Sequence, residues 1–138
     1  MLDEVQTLRP HIIEHLGRFR FAPLVTTRYD LVATIEILFL RPEPPGRLIS
    51  QGGDIDNRLK TLFDALRMPR VLSEIPTGDT VREGEDPFFC LLQDDALITE
   101  IDVKTDVLLD ANARPSEAHL FLRVRTEAVN STFNNMGL

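Results

Sequence analysis

Two acidic groups in this chain have the residue types and spacing for chemistry. Asp54 and Asp56 stand two apart at the head of the run Asp54-Ile55-Asp56-Asn57-Arg58-Leu59-Lys60, with Asp64 further along, and the adjacent pair Asp94-Asp95 follows downstream. Hard divalent cations such as Mg²⁺ take oxygen ligands, and a few carboxylates hold them while water and substrate phosphate fill the remaining positions. Asp54 and Asp56, with a third aspartate from the Asp94-Asp95 pair, supply that number, so a site for a cation such as Mg²⁺ or Mn²⁺ is expected. Asn57 is placed to orient Asp56 by a hydrogen bond, in the way that outer groups orient metal ligands.

The first group requires a helix. Asp54 follows Gly52-Gly53 and is a candidate N-cap, because its side-chain oxygen can accept from first-turn N–H groups. At about 100° per residue, Leu59, Leu62, Phe63 and Leu66 share one face, and Asp56, Lys60 and Asp64 run at four-residue intervals beside it. The alternative account is structural: Asp54 caps, and Asp56 and Lys60 form a surface ion pair worth a few tenths of a kcal/mol. The second group requires a strand, because Gln93-Asp94-Asp95 opens onto the alternating run from Leu97.

Asp54-Ile55-Asp56-Asn57, then Lys60, then Asp64-Ala65-Leu66, and later Asp94-Asp95 before a strand, resembles the RusA-type Holliday junction resolvases. The resemblance covers about residues 28–126, with its motifs confined to 54–66 and 94–98. It implies a small α/β homodimer that cuts branched DNA with Mg²⁺. Carried over position by position, the catalytic group is Asp54, Asp56, Lys60 and Asp95. The metal would lower the pKa of a bound water, and Lys60 would contact the scissile phosphate or the leaving oxygen. The chain departs from the family pattern in three places. The run of arginines expected before the first motif is replaced by Leu48-Ile49-Ser50-Gln51-Gly52-Gly53, an N-terminal strand is not evident, and an insert of about 25 residues, roughly 68–92, separates the motifs. These departures support a second reading, a catalytically inactive accessory protein that keeps the fold for partner binding.

The 138 residues suffice for one domain, 1–138, of the α/β (α+β) class, a mixed β-sheet packed by helices. No apolar run approaches a membrane span and no signal peptide is evident, so a cytoplasmic address without membrane contact is expected. The single cysteine, Cys90, excludes an intrachain disulfide and reads as a small buried hydrophobe rather than a nucleophile. His11 and His15 fall at i, i+4 on an expected helix without the partners a zinc site needs. The net charge of −7 is uneven: residues 1–70 carry 10 basic and 9 acidic side chains, residues 71–138 carry 5 and 13. The acidic half should repel a phosphate backbone unless cations neutralise it.

The rest of the chain reads as scaffold. Ile12, Ile13 and Leu16 recur at helical spacing, which predicts a helix from about Arg9, with Pro10 in its first turn, to Gly17. Residues 1–8 are then expected as a separate turn or arm. Tyr29–Arg41 reads as a strand with Leu31, Ala33, Ile35, Ile37 and Phe39 on one face, stopped by the proline-rich 41–46 loop. The insert, rich in Pro and Gly, is expected as a long flap anchored by Val71, Leu72, Ile75, Phe88 and Phe89 rather than as regular structure. Leu97–Leu108 and Ala118–Ala128 alternate as strands, and the polar link between them suggests an antiparallel pair.

Overall fold

The structure, a computed structural model, describes residues 12–44 and 54–130. They form six strands and one α-helix: β1 (Glu14–Leu16), β2 (Phe19–Val25), β3 (Leu31–Arg41), α1 (Asp54–Leu66), β4 (Phe88–Leu92), β5 (Ile98–Val107) and β6 (His119–Ala128). The class is α+β. In place of the one sheet expected, there are two three-stranded sheets, ordered β1-β2-β4 and β5-β3-β6. Each mixes a parallel pair with an antiparallel pair.

The long strand β3 is central to the second sheet. Its alternation predicts its burial correctly: Leu31, Ala33, Ile35, Ile37 and Phe39 are all buried, and Ile35 is fully so. Register extends that face sideways, setting Ile101 and Val124 beside Ile35, and Val103 and Leu122 beside Ile37. Helix α1 lies along this face. Ile55, Leu59 and Leu62 line an open groove of about 600 Å³ with Ile37, Phe39 and Leu120, and the Arg58 guanidinium stands 5.7 Å from the centre of the Phe39 ring. The opposite face is open, with Glu36 paired to Arg123 and Arg125 at 3.4 Å each and with Leu38 and Phe121 exposed.

β5 and β6 do not pair with one another as the sequence suggested. They flank β3, β5 parallel and β6 antiparallel to it. The polar link makes two successive turns, Ala113 N–H to the Asp110 carbonyl and Glu117 N–H to the Arg114 carbonyl, and so carries the chain past the end of β3. Arg41 marks that crossing: its carbonyl accepts from Leu108 N–H at 2.7 Å, and its guanidinium donates to the Pro115 carbonyl.

The helix expected to close at Gly17 is, over its described part, strand β1. Glu14, His15 and Leu16 pair with Phe21, Arg20 and Phe19 across a two-residue turn. Gly17 has φ +60°, a left-handed conformation that costs a residue with a Cβ about 1–2 kcal/mol, and it turns the chain back on itself. His15 is therefore an exposed strand residue rather than part of a helical pair. A strand not evident in the sequence, β2, follows, and its Phe19, Phe21 and Val25 are buried. Pro23 interrupts its sequence signal but is tolerated because it lies beyond the last pair with β1, at Phe21. The arm at 1–8, the run 45–53 and the tail from Ser131 lie outside the described residues.

The insert is more regular than expected, ending in β4, which joins β2 in parallel. Phe88 stacks on Phe21 with ring centres 5.5 Å apart and lies 6.3 Å from Phe19, while Phe89 is 57% exposed and anchors nothing. Between α1 and β4 the chain arches over the β1–β2 turn. A Cβ at Gly17 would overlap Cδ1 of Leu72, and Arg18 donates to the Asp79 carbonyl at 2.7 Å. Ile12, Ala22, Val25, Tyr29, Leu31, Ala33 and Leu92 form the core that joins the two sheets, with Leu66 of α1 packed against it.

Candidate functional site

Leu92, fully buried at the end of β4, fixes the second acidic group in place. Its carbonyl accepts from Met68 N–H at 2.9 Å, and it forms an isolated parallel bridge with Arg67, so the C-terminal end of α1 is fastened to the end of β4. Gln93 is held twice. Its N–H donates to the Val25 carbonyl, and its Oε1 accepts from the N–H (2.9 Å) and hydroxyl (3.1 Å) of Thr27. Asp94 then caps one turn of 3₁₀ helix, Asp95–Leu97, its Oδ1 accepting from Ala96 N–H at 2.8 Å.

This arrangement sets Asp95 beside the exposed edge of α1, which begins at Asp54 as the sequence predicts. Lys60 Nζ donates to Asp64 Oδ1 at 3.0 Å and to Asp95 Oδ2 at 2.9 Å. Of the four residues assigned to catalysis, Lys60 and Asp95 are thus in direct contact across 35 positions of sequence. Asp56 is exposed, one helical turn before Lys60 and on the same side, and the side chain of Asp54 falls outside the described residues. The surface pair of Asp56 with Lys60 in the structural account is replaced by the pairs with Asp64 and Asp95.

The sequence reading gave no role to Arg67, Arg70 and Glu74. Arg70 donates from Nε to Asp94 Oδ2 at 2.9 Å and from NH2 to Asp95 Oδ1 at 2.6 Å. Its own N–H donates to Glu74 Oε2, which also accepts from Arg67 NH1 at 2.9 Å, and Arg67 Nε reaches Asp64 at 3.4 Å. Lys60, Asp64, Arg67, Glu74, Arg70 and Asp95 therefore form a closed ring, with Asp94 attached at Arg70. No short motif announces this ring. Its only trace in the sequence is basic residues at 67 and 70 between the two acidic groups, inside a segment whose path the sequence leaves open.

The ionisation of the ring follows its hydrogen bonds. The Arg70 guanidinium, helped by Ala96 N–H, holds the Asp94 carboxyl down to about 2. The hydrogen bond from Lys60 lowers Asp64, and that from Arg67 lowers Glu74. Lys60 is raised, first by its hydrogen bond to Asp95 and then by that to Asp64. These shifts favour the carboxylate forms of Asp64, Glu74 and Asp94 and the ammonium form of Lys60. Cys90 differs: burial pushes its thiol up to about 11, which agrees with a packing role.

Carboxylates are the hard oxygen donors that Mg²⁺ takes, so the residue types of Asp54, Asp56 and Asp95 fit such an ion. Among the described residues, no three acidic, histidine or cysteine side chains gather closely enough to hold a metal. Both oxygens of Asp95 accept from cationic side chains, and a metal bound there would share or displace those donors. Comparison of the chain with family models, curated proteins and solved structures finds no match. No helix among the described residues is long and apolar enough to cross a membrane.

Proposed function

We propose that the chain is a metal-dependent endonuclease of the RusA type, acting on branched DNA by attack of water on a phosphodiester. The observation that carries this reading is the contact of Lys60 with Asp95. The resemblance groups these two residues although they lie far apart in sequence, and a charged stripe serving only solubility has no need to meet a carboxylate on another element. Asp54, Asp56 and Asp95 would hold Mg²⁺ or Mn²⁺, which supplies Lewis acidity to the phosphodiester. Lys60, held by Asp64 on its own helix, keeps a fixed positive charge beside Asp95, where a phosphate oxygen can replace one of its carboxylate partners. The partly buried Asp95 is set by the main chain of 92–97, so the site is built from a rigid side.

A homodimer belongs to the same proposal, because a four-way junction presents two equivalent strands to a two-fold protein. The open face of the β5-β3-β6 sheet suits a second copy. It bears exposed Leu38 and Phe121, Arg123 and Arg125 along β6, and along β5 Glu100, Asp102 and Asp106 with Lys104 among them, a net acidic edge. A two-fold axis parallel to the strands would lay the acidic edge of one copy over the basic edge of the other. The accessory reading draws on the acidic balance of residues 71–138 and on the cations already seated at Asp94 and Asp95.

One experiment separates the two readings. Purified protein is offered four-way junctions, flaps and single strands with Mg²⁺ or Mn²⁺. Wild type should cut at least one of them, Asp56→Asn should cut none, and Lys60→Ala should still bind the metal while cutting more slowly. Metal should also raise the melting temperature of wild type, through binding to the folded state, but not that of Asp56→Asn. A wild-type protein that shows neither cleavage nor a thermal response to metal leaves the accessory role.

A further inference from the structure

We propose that Arg70 acts as an internal cation that competes with a divalent metal for Asp94 and Asp95, so that the acidic pair accepts the metal only when the guanidinium is withdrawn. The inference rests on the metal-dependent reading above and assigns a role to a residue of the insert. The four oxygens of the pair are all engaged: Asp94 Oδ1 by Ala96 N–H, Asp94 Oδ2 by Arg70 Nε, Asp95 Oδ1 by Arg70 NH2 and Asp95 Oδ2 by Lys60. Withdrawing Arg70 would leave Asp94 Oδ2 and Asp95 Oδ1 without a donor, while Asp94 Oδ1, which Arg70 NH2 also reaches at 3.4 Å, would keep only Ala96 N–H and Asp95 Oδ2 would keep Lys60. Lys60 would remain where it is, because Asp64 holds it independently.

The surroundings of Arg70 allow such an exchange. Its side chain is 46% exposed, whereas that of Arg67 is 9% exposed and donates to the Met68 carbonyl as well as to Glu74. Arg67 and Glu74 thus make a fixed base, and Glu74 in turn holds the main chain of Arg70 through its N–H. The guanidinium is the movable tip, and it can swing into solvent without breaking the attachment of the arch. Arginine suits the role because its planar fork aims separate N–H donors at the two carboxylates in a fixed geometry, which the point charge of a lysine lacks.

The test is calorimetric titration of the full-length, metal-free chain with Mn²⁺, with circular dichroism to confirm that each variant is folded. Hydrogen bonds to charged groups are strong enough that Arg70→Gln should bind Mn²⁺ about tenfold more tightly than wild type or better. Arg70→Lys, which keeps the charge but loses the fork, should fall between the two. Adding Asp95→Asn to Arg70→Gln should remove the gain, showing that it arises at this pair. Equal affinity in Arg70→Gln and wild type overturns the proposal. If Arg70→Gln does not fold, equal affinity in Arg70→Lys and wild type overturns it instead. Tighter binding by Arg70→Gln, with no cleavage of branched DNA by any form, would support the competition and refute the nuclease reading. Failure of both wild type and Arg70→Gln to bind Mn²⁺ overturns both.

Discussion

Replacing Gly17 by alanine tests whether the arch between α1 and β4 rests on the β1–β2 turn. Two costs add. At φ +60° a residue with a Cβ loses about 1–2 kcal/mol relative to glycine. The new methyl would also overlap Cδ1 of Leu72, whose Cδ2 and Cγ lie 3.4 and 3.5 Å from the same point, so Leu72 must turn away. Leu72 is 49% exposed, and giving up half of a full leucine burial costs about 1 kcal/mol. Gly17→Ala should therefore destabilise the protein by about 2–3 kcal/mol, which lowers the melting temperature by roughly 10 °C in a chain of this size. In a Leu72→Ala background only the backbone cost remains, so the same substitution should cost about 1 kcal/mol less, a coupling that a double-mutant cycle resolves. Urea unfolding of the four proteins supplies the numbers. Equal costs in the two backgrounds would show that the arch does not bear on Gly17 and would refute the packing argument.

Asp94 gives a pH-dependent signature. Its folded pKa of about 2 lies below the ordinary aspartate value of 3.8, so its contribution to stability is complete above about pH 4 and is lost as pH falls through the folded value. Carboxyl-carbon NMR should show the low midpoint in wild type and a rise toward 3.8 in Arg70→Ala; an unchanged midpoint would mean that Arg70 is not its cause. Leu92→Ala removes a fully buried side chain from the junction of the two sheets and should cost about 2–5 kcal/mol by denaturant titration. It should also speed amide exchange at Gln93 and Ala96, and a cost below 1 kcal/mol would place Leu92 outside the core.

What the sequence made legible was whatever rests on local periodicity. The alternation of 31–39 and the stripe Leu59, Leu62, Phe63 and Leu66 each report burial by one face, and both elements lie where that pattern puts them. Pairing was not legible. The same alternation in β5 is satisfied by β3 or by β6, and the deciding contacts are those of the turns at 110–117 with Arg41. At the N-terminus, Ile12, Ile13 and Leu16 fit a helical period, yet Gly17 and the buried Phe19 and Phe21 impose a hairpin on too few residues for periodicity to register. In the site, Lys60 with Asp64 is a local pair that spacing alone predicts, and the resemblance named Asp95. Arg70 was hidden because its role depends on the path of an insert with no periodicity of its own.

The position of β3 between two later strands also governs how fast the chain can reach its native state. Ile35 cannot complete its pairs until Ile101 and Val124 have been made and brought back, and β2 likewise waits for β4. Non-local parallel pairing must meet the entropy of closing a long loop before any contact repays it, so this topology belongs among the slower folders of its size. During that interval α1 can form alone, with Lys60 and Asp64 already joined, whereas Asp95 arrives only with the closing of the second sheet. The half-assembled chain therefore exposes the apolar faces of β2 and β3 together, and its aggregation should rise with concentration during refolding well before the native protein shows any such tendency.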